Sequence, residues 1–134
     1  MSDSYLPLLK AIIATLKADA PVGAVVGDRI YTDVPQNEVF PYMVVSIDSS
    51  PYDANDFTGM EHTPQINTYS RDKSPYEAAS ARAAVYDALN RQGDTIALDT
   101  GRIVDIQYTG VGTVFKDTDG VTWTSVAQFR AVVT

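Results

Sequence analysis

The chain has 134 residues, 45% of them hydrophobic and 20% charged, with 17 acidic against 10 basic side chains and a formal net charge of −7. This length suits one domain over residues 1–134, large enough to bury roughly two-thirds of its unfolded surface and form a proper core. The acidic balance argues against a nonspecific grip on phosphate backbones and so against direct nucleic-acid recognition. The lack of cysteine removes disulfides, thiolate nucleophiles and cysteine zinc sites together and suits a reducing cytoplasm. No apolar run approaches the ~20 residues of a membrane span, and residues 1–5 carry an acid rather than the basic start of a signal peptide. A soluble protein with no membrane partner is expected.

From the amino terminus, Leu6, Leu9, Ile13 and Leu16, with Leu8 and Ile12 beside them, fall on a 3.6-residue period. The spacing predicts a helix over residues 5–18. Ser4 or Asp3 can cap it, Pro7 is tolerated in its first turn, and Pro21 with Gly23 bounds its end. A second short turn fits before Gly27. Arg29-Ile30-Tyr31 then reads as a short edge strand stopped by Pro35. Beyond Pro41, the run Tyr42-Met43-Val44-Val45-Ser46-Ile47-Asp48 predicts a strand covered on at least one face by a helix.

Residues 49–61 are turn-rich and acidic, yet they hold Tyr52, Phe57 and Met60. They read as a long loop, and connections of about a dozen unstructured residues are uncommon and tend to be functional. Two alternatives stand: a loop folded back on its own domain by its aromatics, or a projection that orders against a neighbour. Residues 63–69 alternate as a strand returning antiparallel to the first, with Pro64 confining its start to a sheet edge.

Ser74-Pro75-Tyr76-Glu77 combines a capping serine, proline at the first helical position and glutamate three residues after the cap. A helix is predicted from there, with Ala78, Ala81, Val85 and Leu89 on one narrow apolar face, Ala84 and Tyr86 alongside, and Gly93 closing it. The remainder reads as β: residues 95–98, a turn at Asp99-Thr100-Gly101, then 102–111, 114–116 and 121–133, with Asp119-Gly120 as a hairpin turn. On the last strand Val121, Trp123, Ala127, Phe129, Ala131 and Val133 share one face, and Thr122, Thr124, Gln128 and Arg130 the other. The fold class is α+β, a mostly antiparallel β-sheet with two main helices packed on one face.

Catalytic constellations are missing. His62 is the single histidine, too little for acid–base machinery or an H-E-x-x-H metal site. Asp117-Thr118-Asp119-Gly120 opens like a calcium loop, but the twelfth position holds Gln128 where a bidentate glutamate is needed. Gly110 and Gly112 lack a third glycine and a following helix, so they mark a strand bulge rather than a phosphate cradle. Asp53 and Asp56 could form an acid–base pair, yet no histidine or arginine lies near in sequence, and solvation explains them. Arg71 with Asp72 ends a strand, where an arginine can also pair across an interface. No catalytic residue, metal site or cofactor is expected.

The order of these elements, an N-terminal helix, Gly27-Asp28-Arg29-Ile30-Tyr31, Pro35, Phe40-Pro41-Tyr42-Met43-Val44-Val45, Tyr69-Ser70-Arg71, the alanine-rich helix ending near Leu89 and the closing Phe129-Arg130-Ala131, resembles the tail terminator (tail completion) proteins of long-tailed bacteriophages and gene transfer agents. The resemblance covers nearly the whole chain and rests on the sequence of elements rather than on any single motif. It implies a structural virion protein, made in the bacterial cytoplasm, that assembles as a hexameric ring on the head-proximal end of the tail. Such a ring caps the tail tube, stops tube polymerisation and meets the head-completion (stopper) protein, so the implied partners are the chain itself, the tail tube protein and that stopper. No active site is needed.

A ring subunit needs two different surface patches. Tyr52, Phe57 and Met60, with Asp53 and Asp56 facing solvent or a basic patch, are the candidate interface residues, since interface cores favour aromatics and methionine. A head-tail connector or a tail tube subunit would oligomerise as well. A monomeric protein-binding module would form no ring, and a small enzyme would need a concave pocket with perturbed carboxylates.

Overall fold

The structure, a computed structural model, describes residues 4–54, 57–99 and 101–134, apart from the side chains of residues 50–58 and of Val111. Its elements are α1 (Tyr5–Ala18), α2 (Ala20–Val26), β1 (Ile30–Tyr31), β2 (Tyr42–Ala54), β3 (Phe57–Ser70), α3 (Tyr76–Leu89), β4 (Ile103–Lys116) and β5 (Trp123–Val133). The strands of the described residues form one five-stranded sheet in the order β1-β2-β3-β5-β4. Only β1 runs parallel to its neighbour; every other pairing is antiparallel. The α+β class expected from the sequence is the one observed.

The helix α1 forms as its spacing predicts, but the buried stripe is Leu8, Ala11, Ile12 and Leu16 rather than the one through Leu6, Leu9 and Ile13: Leu6 is 60% exposed, and Leu9 and Ile13 are half-buried. Ser4 makes no capping bond to that helix, because its hydroxyl is turned toward His62. The short turn expected next is a complete helix, α2. Asp19 caps it by accepting the Val22 N–H at 3.1 Å, and Val22 and Val26 are buried. In α3, Ala78, Ala81, Val85 and Leu89 are fully buried, as predicted, while Tyr86 is exposed. The capping box does not form: Ser74 Oγ accepts the Tyr76 N–H at a long 3.4 Å, and Glu77 Oε1 instead accepts from Ser70 Oγ at 2.7 Å. Nor does Gly93 end the helix. Arg91 takes the left-handed conformation (φ 61°) and the Asn90 side chain accepts the Tyr108 N–H at 2.8 Å, tying the helix end to β4.

The core lies between the helices and one face of the sheet. Met43, Val45 and Ile47 from β2, Ile66 from β3, Ile103 and Ile106 from β4, and Ala127, Phe129, Ala131 and Val133 from β5 are buried there with the helix residues. Strict alternation along β3 follows from the pleat: His62, Pro64, Ile66, Thr68 and Ser70 are buried, and the residues between them are half-exposed. Tyr108 and Phe129, register partners on β4 and β5, meet edge to face at 5.8 Å.

Four further expectations need correction. On the last strand Val121 is 54% exposed while Thr122 and Thr124 are buried, so the expected alternation holds from Ala127 to Ala131 but not at its start. Residues 49–61 are not a loop: β2 and β3 pair without a break from Tyr42↔Tyr69 to Ala54↔Phe57, with Asn55 and Asp56 outside the described residues. Pro51 is compatible with a strand here because β1 covers β2 only at Met43 and Val44, leaving the rest of β2 as a sheet edge. Pro64 is not at an edge. It lies on β3, between β2 and β5, and the β5 ladder skips Thr63 and Pro64 before resuming at Gln65 in the same register. Residues 95–98 form a turn rather than a strand, since the N–H groups of Thr95 and Ile96 both return to the Gln92 carbonyl.

The predicted strands 102–111 and 114–116 are a single strand, β4, broken by a register shift between Tyr108 and Gly112. This is the bulge that Gly110 and Gly112 announced, with Gly110 at φ 84°. Beside it, Arg82 from α3 donates Nε–H to the Val126 carbonyl at 3.1 Å while a second guanidinium nitrogen bonds the Tyr108 hydroxyl. A side chain at Gly112 would clash here, because its Cβ would lie 2.5 Å from the Val126 oxygen and 2.8 Å from Arg82.

Candidate protein-interaction surface

The single histidine is held in a structural role. His62 is fully buried, with Nε2 2.7 Å from Ser4 Oγ and Nδ1 2.6 Å from Ser49 Oγ. A neutral imidazole donates through one nitrogen and accepts at the other, and hydroxyls can play either part, so the two serines satisfy the ring. Among the described residues no group of three or more His, Asp or Glu could hold a metal ion. A groove of about 530 Å³ between α1 and α3 is lined by Ala11, Ala14, Ala88 and Ala97, with Asp19 and Asp87 at its rim. It contains no nucleophile–base pair.

Asp119 is the group with the most displaced carboxyl. Hydrogen bonds from the Thr122 hydroxyl, the Thr122 N–H and the Val121 N–H pull it from 3.8 down to about 2. Those bonds close the β4–β5 turn, where Gly120 at φ 76° takes the conformation that glycine tolerates. The Asp117-Thr118-Asp119-Gly120 stretch is thus a hairpin connection, as its sequence indicated.

What the fold does present is a pair of contrasting ends. At one end β2 and β3 continue as a two-stranded arm: β5 stops pairing at Met60↔Val133, while β2 and β3 pair on to Ala54↔Phe57. Four of the sequence-predicted interface residues, Tyr52, Asp53, Phe57 and Met60, fall on this arm. Tyr52 is paired with Gly59, Asp53 with Thr58, Phe57 with Ala54 and Met60 with Pro51 in the backbone register. Met60 is half-buried; the side chains of Tyr52, Asp53 and Phe57, and all of Asp56, are outside the described set.

The opposite end carries an aromatic and basic surface that the sequence did not single out. Phe40, Tyr42 and Tyr69, all half-exposed, stack in a row with centroids 5.0 and 5.2 Å apart, and Tyr31 lies 6.4 Å from Tyr42. Burial and then the neighbouring Tyr69 raise the Tyr42 phenol above its ordinary value. The Arg71 guanidinium lies 4.3 Å over the Phe40 ring and donates to Thr122 Oγ1 at 3.3 Å. Val39 beside them is 63% exposed. Aromatics with arginine are the residue types enriched at interfaces. Their positions, 40 and 42 in one segment and 69 and 71 in another, are brought together only by the Tyr42↔Tyr69 register.

No curated protein matches the chain. One chain of a solved structure, "Virion of native gene transfer agent (GTA) particle", has the same fold, with a TM-score of 0.87, 25% sequence identity, and coverage of 99% of this chain and 98% of its own length. The family described as "Tail completion protein gp17" matches residues 10–134. By that match, which runs from Lys10 to the last residue, the chain belongs to the tail completion protein gp17 family.

Proposed function

We propose that this chain is a structural protein of a virion or phage-like particle, acting as a single domain that assembles into a ring at the head-proximal end of the tail tube. The ring ends tube polymerisation and offers its other side to a head-completion protein. The observation that carries this is the family match together with the near end-to-end correspondence to a chain of a gene transfer agent virion. The role asks for binding surfaces rather than catalysis and needs no cofactor. The arm, bearing Tyr52, Asp53, Asp56, Phe57 and Met60, supplies one of the two unlike surfaces that a head-to-tail ring contact requires.

The test is electron microscopy of tail tube protein polymerised with and without this chain. Added density at tube ends with growth arrested is the expected result; tubes that lengthen unchanged with bare ends would overturn it. Tubes built from the chain alone would indicate a tube subunit instead.

A further inference from the structure

β2 leaves part of the sheet edge open, and the strand's own geometry says which backbone groups face outward. The Met43 N–H points to the β1 side, donating to the Arg29 carbonyl at 2.9 Å. Backbone groups alternate sides along a strand, so Val45, Ile47 and Ser49 turn theirs the same way. Pro64 lies opposite Ile47 and has no N–H to offer β2, which agrees with that alternation. β1 ends at Tyr31, opposite Val44, and the chain bends at residues 32–33. Among the described residues, the outward N–H and C=O groups of Ile47 and Ser49 therefore have no strand beside them.

The opposite edge of the sheet is built differently. β4 is interrupted by register shifts between Ile103 and Asp105 and between Tyr108 and Gly112, and such bulges blunt an edge against pairing. β2 pairs with β3 from Tyr42 to Ala54 without a shift, and residues 42–54 include no lysine or arginine. Its edge is regular until Pro51, which has no N–H to give.

A helix face overhangs this regular edge. α1 packs on β1 and β2, whereas α3 packs on β3, β4 and β5. The side of α1 turned to α3 carries Ala11, Ala14, Thr15 and Ala18. At about 100° per residue, Leu6, Leu9 and Ile13 lie on the far side, toward the edge of β2. Leu6 is 60% exposed there, and Leu9 and Ile13 are half-buried. The start of α1 is fixed beside Ser49, because His62 bonds both Ser4 and Ser49. Apolar side chains on the helix and outward backbone groups on the strand thus frame a position for one more strand beside residues 45–49.

We propose that an extended segment of another protein docks beside β2 as an added strand, bonding to Ile47 and Ser49 and placing alternate apolar side chains under Leu6 and Leu9. The chain's own strands do not suit this position. β2 and β4 bring helix cover with them, since Val45, Ile47, Ile103 and Ile106 are already buried. Beyond its pairing with β5, β3 offers only residues 57–59, too short an edge for residues 45–49. The occupant is a strand without a helix layer of its own. Asp48, exposed on the other face of β2, disfavours an acid opposite it. This rests on the reading of the chain as a tail component, whose neighbours include proteins other than itself.

Amide hydrogen exchange read by NMR tests it. In the chain alone, Ile47 and Ser49 should exchange at least about tenfold faster than Ser46 and Asp48, whose N–H groups face β3. The tail tube protein and the head-completion protein of the same particle are then added in turn. One of them should slow Ile47 and Ser49 at least about tenfold. Ser49→Pro removes an outward N–H and Leu6→Glu spoils the apolar cover, so each should weaken that binding at least about tenfold. Ser49→Ala, which loses only the hydroxyl on His62, should bind as the native chain does. Circular dichroism checks that each variant is folded; should Ser49→Pro fail to fold, Leu6→Glu poses the same question.

Ile47 and Ser49 amides that stay fast with both proteins, or undiminished binding by either folded variant, would overturn the added strand. Slowing that appears in the chain alone as its concentration rises would overturn it in favour of a second copy. Tubes that are capped while these amides stay fast would leave the proposed function standing without the strand. Slowed amides on a chain that caps no tube would count against that function and not against the strand.

Discussion

The two long hairpins of this fold are made of similar lengths of strand and are secured in opposite ways. The β4–β5 hairpin is tied to the rest of the protein along its length. Phe129 and Tyr108 pack under α3, Arg82 fills the bulge, Asn90 binds the Tyr108 N–H, and Asp119 closes the turn. The β2–β3 hairpin is held in the core as far as Met60 and then continues with no third strand beside it. Its outer part is paired strand to strand from Pro51↔Met60 to Ala54↔Phe57. The β4–β5 hairpin is thus fixed by side chains from several elements, whereas the outer β2–β3 arm runs on beyond the last pairing with β5.

The largest effect is expected at the centre of the anchored hairpin. Phe129→Ala removes the largest fully buried side chain and should lower unfolding free energy by about 3–5 kcal/mol, measured as the shift of the urea midpoint. Next is the bulge. Gly112→Ala forces a Cβ into the space held by the Val126 oxygen and Arg82 and should cost about 1–3 kcal/mol. Arg82→Ala should cost a similar amount, about 1–3 kcal/mol, by leaving the Val126 carbonyl unsatisfied. If either variant melts with the native chain, the bulge is not an anchor.

A smaller effect belongs to the turn. The Asp119 carboxyl is lowered in the folded state, so its contribution is present above the ordinary value of 3.8 and is lost as pH falls toward about 2. Asp119→Asn should therefore flatten the acid limb of stability between about pH 4 and pH 2, with little change in slope near neutrality. A denaturation series over that range, compared with the native chain, reads the difference directly.

The smallest effect on stability is expected on the arm. Tyr52→Ala with Phe57→Ala should change the unfolding free energy by less than about 0.5 kcal/mol, as for surface positions away from core anchors, while weakening ring assembly. A large loss of stability in this double variant would place its side chains in the fold rather than at an interface, and would erase the contrast between the hairpins.

Much of this contrast was invisible along the chain. The helices at 5–18 and 76–89 were legible because periodic apolar positions report a buried stripe whatever lies opposite. Asp119-Gly120 and the Gly110/Gly112 bulge were legible because their backbone demands are local. Residues 49–61 were not: Pro51, Asn55 and Gly59 are turn formers, and their local signal outweighs the alternation. Only pairing with the facing strand overrides it. The candidate anchors on that segment were named from residue type alone, while Phe40, Tyr42 and Tyr69 were not joined to Arg71 as one interaction surface because nothing in sequence spacing makes them neighbours.

By itself, then, the sequence determined the helices, the terminal hairpin, the acidic character and the scarcity of catalytic groups, since each is set by residue identity and short-range geometry. The tertiary structure decided where β2 and β3 end, which carbonyl Arg82 reaches, how His62 is satisfied by Ser4 and Ser49, and that the β2–β3 arm and the Phe40–Tyr42–Tyr69 row lie at opposite ends of one sheet. Those are matters of strand register between segments far apart in the chain. Register is settled by burying one face of every strand at once, which no single segment encodes.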